Sequence, residues 1–300
     1  MAKAKKAASK KTVAPKSTHP VLPSVVPSVW KISGQTLRLI GHHKLLLSGI
    51  IGWYLLLNLL FVQSLANGQN IGALQNSLSH GYFDAIMGDF SKLIADSGAS
   101  STPAGGAYGL FLTIILSLAV IWTVRQLLAG RVPRVRDAYY RGMFPLVPFV
   151  LVLALIGLQL LPLVIGATLY NIAVTNGIVV NLFQQTVAGL LALALALLSF
   201  YWLASSTMAL YIVTLADMTP RRALKSSKDL VRGKRWTIVL RILFMPLALL
   251  LAAAIVLIPT VLVAPVLANI LLFVLGGVAL VIVHAYLFSL YRGLLPNEQD

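Results

Sequence analysis

Six apolar stretches, each about twenty residues or longer, constrain this chain more than any other feature. They cover residues 45–65, 108–128, 143–164, 187–215, 237–258 and 269–291 of the 300. A helix needs roughly 20 apolar residues to cross a bilayer core about 30 Å thick, and lipid cannot satisfy a bare backbone polar group. The alternation of period two that marks a membrane β-barrel is absent. We therefore predict an all-α, polytopic membrane protein with six transmembrane helices in three hairpins.

The composition excludes an ordinary water-soluble domain. Hydrophobic residues make up 58% of the chain and charged residues only 11%, whereas a soluble domain carries roughly 25% charged residues. Cysteine is absent, which excludes disulfides, thiolate metal sites and cysteine nucleophiles together. The few charges are strongly unbalanced, because 24 Lys and Arg stand against 8 Asp and Glu, which leaves a net charge of +16.

Nearly all positive charges fall on one side of a six-helix arrangement. In that arrangement 23 of the 24 Lys and Arg residues lie before the first span, around the second and fourth connections or after the sixth span, and only Lys92 lies on the other side. Basic residues collect in cytoplasmic loops, so we predict that both termini are cytoplasmic and that the protein resides in the plasma or inner membrane. An odd number of spans would destroy this segregation of charge.

The terminal segments are predicted to lie outside the membrane. Residues 1–29 are rich in Lys, Ala, Ser and Pro, so they cannot bury an apolar face, and we predict a disordered, basic cytoplasmic tail. Its apolar pairs before Pro23 and Pro27 are too short for a secretory signal. Attraction of this tail to anionic lipid or to nucleic acid is the alternative to a merely solvated tail; nucleic acid is not expected, because no aromatic residues separate the lysines. Residues 30–295 then form the membrane domain and residues 296–300 a short cytoplasmic tail.

A short basic segment precedes each predicted hairpin. In the clearest copy Thr219 can cap a helix that begins at Pro220, and Gly233 fits the position just past its end. Basic residues recur there at spacings of three and four, which places them on one face of a helix lying in the membrane interface. Weaker copies occupy residues 133–142 and 30–44, with too few shared residues to decide whether a threefold repeat exists. The candidate headgroup ligands are Arg221, Arg222, Lys225, Lys228, Arg232, Lys234, Arg235, Arg134 and Arg136.

The connection between the first two spans, residues 66–107, is long. Within it apolar residues recur at helical spacing, and they are Phe83, Ile86, Met87, Phe90, Leu93 and Ile94. This pattern predicts an amphipathic extracytoplasmic helix that lies on the outer leaflet or caps the bundle. A lid over a substrate cavity is the functional alternative.

Residues 216–236 resemble a known family of membrane proteins. The stretch has an acidic residue, a proline, an Ala-Leu pair and a serine, followed by Leu-Val-Arg-Gly-Lys-Arg-Trp at the start of a span. The matching positions are Asp217, Pro220, Ala223, Leu224, Ser227, Leu230, Val231, Gly233 and Trp236. These features resemble the membrane domain fused to some glycerophosphoryl diester phosphodiesterases, and its stand-alone six-helix relatives. The resemblance implies a six-helix membrane fold without the hydrolase activity, because the chain has no room for the separate catalytic barrel.

No constellation of residues indicates catalysis. Asp84, Asp89 and Asp96 do not share one helix face, and the adjacent His42 and His43 point in different directions. The sequence contains no phosphate-binding glycine loop and no serine nucleophile motif. We therefore predict a protein that is not an enzyme and has neither metal nor cofactor.

A few polar residues fall inside or at the ends of the predicted spans. His284 is an ionisable side chain well inside a span and is predicted to hydrogen-bond a neighbouring helix. Arg125 and Arg241, near span ends, are expected to extend toward the headgroups. A small-solute or lipid transporter is the alternative function, and it predicts a cavity at membrane depth lined by Asn58, Ser205, Ser206 and His284. The favoured function is a scaffold or accessory protein whose basic cytoplasmic side binds anionic phospholipid or a protein partner.

Overall fold

The computed structural model describes residues 28–62, 69–81, 83–95, 102–215 and 218–295. Residues 1–27 of the predicted N-terminal tail (1–29), the predicted C-terminal tail at 296–300 and the acidic residue Asp217 lie outside these residues. The described part is all-helical and has no β-strand. Its helices are α1 (Val29–His42), α2 (Lys44–Phe61), α3 (Gln69–His80), α4 (Phe83–Ala95), α5 (Pro103–Leu128), α6 (Val135–Gly142), α7 (Leu146–Thr175), α8 (Leu182–Ile212), α9 (Pro220–Val231), α10 (Arg235–Val263) and α11 (Pro265–Leu294).

Six of these helices are long and apolar enough to cross a membrane, as predicted, and they are α2, α5, α7, α8, α10 and α11. Several are longer than their predicted spans. Helix α8 begins at Leu182 instead of residue 187, because Asn181 and Gln184 form a capping box at its start. Its 31 residues correspond to about 46 Å at 1.5 Å per residue, which exceeds the bilayer core.

Helices α7 and α8 are antiparallel and contact each other along their lengths. A Cβ added to Gly166 of α7 would lie 3.2 Å from the Leu195 side chain of α8, and Gly189 of α8 faces Tyr170 of α7. Helix α7 continues without interruption through Pro162. The backbone N–H of Leu163, one residue later, donates to Ser199 Oγ of α8 over 3.0 Å, so a side chain of the neighbouring helix satisfies this donor.

Each short basic helix packs against two or three of the spans. Helix α6 packs against α5 and α2, α9 packs against α8 and α7, and α1 packs mainly against α11, with smaller contacts to α10 and α2. Helix α1 comes first in the chain, yet its main partner is the last span, α11. The threefold plan, the three-hairpin arrangement and the interfacial position of the short helices remain predictions.

A second, smaller core lies where α3 and α4 meet α10 and α11. Its buried members are Ile71 and Leu74 of α3, Phe90 and Leu93 of α4, and Leu257, Val261, Ala268 and Leu272 of the two spans. The predicted amphipathic helix is therefore present as α4, and it caps the α10–α11 pair together with α3, which the sequence analysis did not predict. Asp89 of α4 accepts a hydrogen bond from Ser77 of α3 and lies 3.8 Å from Lys92.

Candidate functional site

Helix α9 exposes one basic face and buries one small, mostly apolar face. Thr219 caps the helix by accepting a hydrogen bond from the Arg222 N–H, and Pro220 occupies its first position. Ala223, Ser227 and Val231 are buried and recur every four residues, so this face is the one that packs on the spans. The exposed cations are Arg221, Arg222, Lys225, Lys228 and Arg232. The predicted division of the helix into two faces is therefore present.

Three of the nine predicted headgroup ligands line one cleft. Arg232, Lys234 and Arg235 surround a cavity of about 460 Å³ together with Tyr201, Gly233, Trp236 and Thr237; we call it the basic cleft. Gly233 has a φ of +80°, a conformation that glycine adopts without strain. This turn between α9 and α10 brings the cations on either side of it together.

Aromatic rings form one wall of the basic cleft. The Arg235 guanidinium carbon lies 4.6 Å from the centroid of the Tyr201 ring, a cation–π distance. The Tyr201 and Trp236 ring centroids are 6.2 Å apart. Tyr201 belongs to α8 and Trp236 to α10, so the cleft depends on two spans that are distant in sequence.

The other predicted ligands lie elsewhere. Arg221, Arg222, Lys225 and Lys228 are exposed along α9 and do not line the basic cleft. Arg134 and Arg136 are exposed at the start of α6. The structure therefore gathers Arg232, Lys234 and Arg235 and leaves the other six cations on open surface.

A second site surrounds Arg125, near the C-terminal end of α5. Its Nη1 donates to the Thr214 carbonyl oxygen over 2.8 Å, and its Nη2 donates to Thr214 Oγ1. The guanidinium carbon also lies 5.9 Å from the centroid of the Phe288 ring of α11. The ends of α5, α8 and α11 thus meet at one cation, and we call this arrangement the Arg125 junction.

The expectation that Arg125 simply extends toward the headgroups is incomplete. Its side chain is held by the residue two positions after α8 and lies over a ring of α11. A basic residue near a span end was the only sequence signal, and it did not indicate which other helix ends would meet there.

Cavities flank the Arg125 junction on two sides. The larger, about 1000 Å³, is lined by residues of α5, α6, α7 and the segment after α8, including Trp122, Arg141 and Phe144. The smaller, about 320 Å³, lies toward α11 and includes Phe288 and Tyr291. Arg125 lines both cavities. No pattern in the sequence predicts either cavity.

The four predicted intramembrane polar residues do not form one site. Tyr211 Oη and His284 Nδ1 are 3.2 Å apart, which joins α8 to α11 as predicted for His284. Asn58 Nδ2 donates to Tyr54 Oη over 3.4 Å, and Ser205 Oγ donates to the carbonyl of its own helix at residue 202 over 3.0 Å. Ser206 is buried. None of the four lines the three cavities described above, so these cavities do not supply the path that the transporter hypothesis predicts.

No protein-family model, curated protein or solved structure matches the chain. Among the residues that the structure describes, no group of three His, Asp or Glu side chains is arranged to hold a metal ion. The functional interpretation therefore depends on the sequence and the geometry of this chain.

Proposed function

We propose that this six-span protein is a non-enzymatic scaffold or accessory protein that binds anionic phospholipid headgroups at the basic face of α9 and in the basic cleft. The observation that carries the proposal is the cleft itself, in which Arg232 and Arg235 lie beside Trp236 at the start of the span α10. A phospholipid whose phosphate lies between these cations has its acyl chains beside an apolar helix.

The charges of α9 add to this attraction. Each Lys or Arg near an anionic membrane surface contributes about 1 kcal/mol, and the arginine fork can hold two phosphate oxygens at once. Trp236 and Tyr201 favour a position of the basic cleft at headgroup level, because amphipathic aromatic rings concentrate where headgroups meet acyl chains.

The orientation of the protein is part of the proposal. The 23 Lys and Arg residues on one side of the six-span arrangement favour a cytoplasmic position for α9, the basic cleft and both termini in the plasma or inner membrane. The resemblance of residues 216–236 to the membrane domain of glycerophosphoryl diester phosphodiesterases supports a place in lipid-rich surroundings. That resemblance extends to the turn at Gly233 and to Trp236, both of which line the basic cleft.

The test measures phospholipid selectivity in nanodiscs that contain phosphatidylcholine and a small fraction of spin-labelled phosphatidylglycerol. We expect the fraction of motionally restricted label to fall by more than half when Arg221, Arg222, Lys225 and Lys228 are all changed to Glu. The double variant Arg232→Gln and Arg235→Gln should lower it by a smaller amount, because α9 keeps its charges. Lys92→Gln, which removes an exposed cation of α4, serves as the control and should change nothing. The proposal would be refuted if both the fourfold Glu variant and the double Gln variant kept the lipid selectivity of the wild type.

A further inference from the structure

The larger cavity beside the Arg125 junction has the shape and chemistry of a ligand site that is separate from the basic cleft. Its volume of about 1000 Å³ is at the upper end of the ~300–1,000 Å³ found for small-molecule sites. Most of its wall is apolar, with Leu118, Trp122, Met143 and Pro148 among the lining side chains. Arg125 and Arg141 also line it, and none of its described lining residues is acidic.

Arg125 carries a charge that the surrounding protein does not neutralise. The side chain is only partly exposed, and within the described part of the chain the ion pair at Lys92 and Asp89 is the only one closer than 4.0 Å. Thr214 accepts two of its hydrogen bonds, while a guanidinium has five N–H donors. A partly buried cation without a carboxylate is favourable only when other groups compensate for lost hydration. An anion entering the cavity would provide this compensation.

The larger cavity lies at a position that an amphiphile in the membrane can reach. Phe144 and Tyr140 line this cavity and are 92% and 83% exposed, so part of its aromatic lining is accessible from outside the protein. The cavity lies at the end of the span α5 and the beginning of the span α7, which is the depth at which headgroups meet acyl chains. A ligand here can keep its charged head near Arg125 and its chain against the apolar wall.

We propose that this cavity binds an anionic amphiphile with a single acyl chain, such as a long-chain fatty acid, with its carboxylate between Arg125 and Arg141. The apolar wall favours a chain over a small anion such as free phosphate, and the two arginines favour a charged head over a neutral one. The site uses none of the cations of α9 or of the basic cleft, although Thr219, the cap residue of α9, also lines it.

Brominated stearate tests this proposal, because bromine quenches the fluorescence of a tryptophan that it touches. The chain has five tryptophans, and we would change all except Trp122 to Phe, so that the reporter lies in the cavity wall. A second variant retains only Trp53, which is 51% exposed on α2 and reports partitioning of the probe into the bilayer. Both proteins are measured in phosphatidylcholine nanodiscs.

We expect saturable quenching of Trp122 and only a gradual, non-saturating effect on Trp53. In the Trp122 reporter, Arg125→Gln should weaken stearate binding by about tenfold or more, as for the loss of one charge-assisted hydrogen bond. Arg141→Gln, an exposed position with less influence on folding, should weaken binding several-fold. Arg131→Gln removes an exposed cation outside the cavity and is the matched control.

An uncharged ligand, a competing anion and the α9 variant distinguish the possible outcomes of this experiment. Brominated stearyl alcohol has the same chain without the charge and should not saturate, and inorganic phosphate at millimolar concentration should not compete with stearate. Equal binding of the acid and the alcohol, or unchanged binding in Arg141→Gln, would overturn the proposal even if Arg125→Gln fails to fold. The fourfold Glu variant of α9 should bind stearate normally, so this site and the proposed headgroup surface are tested independently.

Discussion

Helices α5 and α8 have the same mean hydropathy, 2.2 over their most apolar 18 residues, yet 61% of that stretch is buried in α5 and only 11% in α8. Helix α5 packs against α2, α6 and α11, whereas α8 contacts α7 along much of its length. The difference shows that apolar composition identifies a span without showing whether its surface faces lipid or protein. Both environments are equally favourable for a leucine side chain.

The exposure of side chains also changes along α8 itself. Side chains near its beginning, such as Phe183 and Leu190, are 78% and 60% exposed, whereas Met208 and Tyr211 near its end are 0% exposed. The buried end leads into Thr214, which holds Arg125 of α5. The packed part of the bundle is therefore the end that carries the Arg125 junction and its two cavities.

The largest expected effect comes from truncating a buried leucine of α5, compared with an exposed leucine of α8. Leu116 of α5 is 0% exposed, and Leu116→Ala should lower the unfolding free energy by about 2 kcal/mol, the lower end for a leucine cavity, because lipid replaces water as the reference. Leu190→Ala in α8 should change it by less than about 0.5 kcal/mol. Reversible unfolding in mixed micelles, with SDS as the denaturant, measures both. Equal losses would show that α5 is not the packed centre.

A second pair of variants compares how much the two ends of α8 contribute to stability. Thr214→Val removes the hydroxyl that accepts from Arg125 and should lower the unfolding free energy by about 1.5 kcal/mol, as for a hydrogen bond to a charged group. Thr186 near the exposed beginning of α8 bonds only to the carbonyl of Leu182 in its own helix. Thr186→Val should therefore have little effect in the same unfolding assay, and a similar loss at both positions would contradict the distinction between the two ends.

Substitutions at two glycines test how closely neighbouring helices approach each other. A Cβ at Gly142 of α6 would lie 3.1 Å from Ala119 Cα of α5, whereas one at Gly276 of α11 would have nothing within 4 Å. Because backbone atoms cannot move aside as a side chain can, Gly142→Ala should cost about 1 kcal/mol. Gly276→Ala should be neutral or stabilise by about 0.5 kcal/mol, since alanine favours a helix. Thermal denaturation in detergent should give opposite shifts, and a destabilising Gly276→Ala would argue against the open space seen there.

The smallest effect concerns Tyr139 of α6, whose hydroxyl donates to the Ile50 carbonyl of α2 over 2.8 Å. Tyr139→Phe should lower the unfolding free energy by about 0.5 kcal/mol, at the lower end for a neutral hydrogen bond. Tyr140→Phe, 83% exposed, is the control and should change it little.

Tyr139 also predicts a dependence on pH. Burial raises its pKa well above the usual value of 10.0, so the folded protein keeps the proton that the unfolded chain releases above pH about 10. Its contribution to stability is therefore complete below that pH and is lost as the pH rises further. The alkaline fall in stability should be less steep in Tyr139→Phe than in the wild type, and identical slopes would contradict the buried position of the hydroxyl.

Much of the fold was predictable from local patterns. The six spans follow from hydrophobic length alone, and α9 follows from Thr219, Pro220 and the recurrence of its basic residues. The beginning of α8 was predicted five residues late because the capping box of Asn181 and Gln184 lies in a polar stretch that hydropathy does not mark. Helix α3 was missed because its helical face includes few large apolar residues.

The candidate sites were less predictable. Arg232, Lys234 and Arg235 are close in sequence, so their cleft follows partly from local spacing, although Tyr201 joins it from another span. Arg125 and Thr214 are 89 residues apart, and nothing in either neighbourhood indicates the other. Their cavity depends on how the ends of several helices meet.

By itself, the sequence determined that the chain is mainly helical and that six of its segments can cross a membrane, and it predicts that 23 of its 24 Lys and Arg residues lie on one side of them. These properties follow from the transfer of side chains and backbone groups between water and lipid, which each segment experiences separately. Only the tertiary structure decided that α5 is central, that α8 is mostly peripheral and that Arg125 has a cavity on either side. Packing between helices depends on the shapes of surfaces that are equally apolar, and hydropathy does not distinguish them.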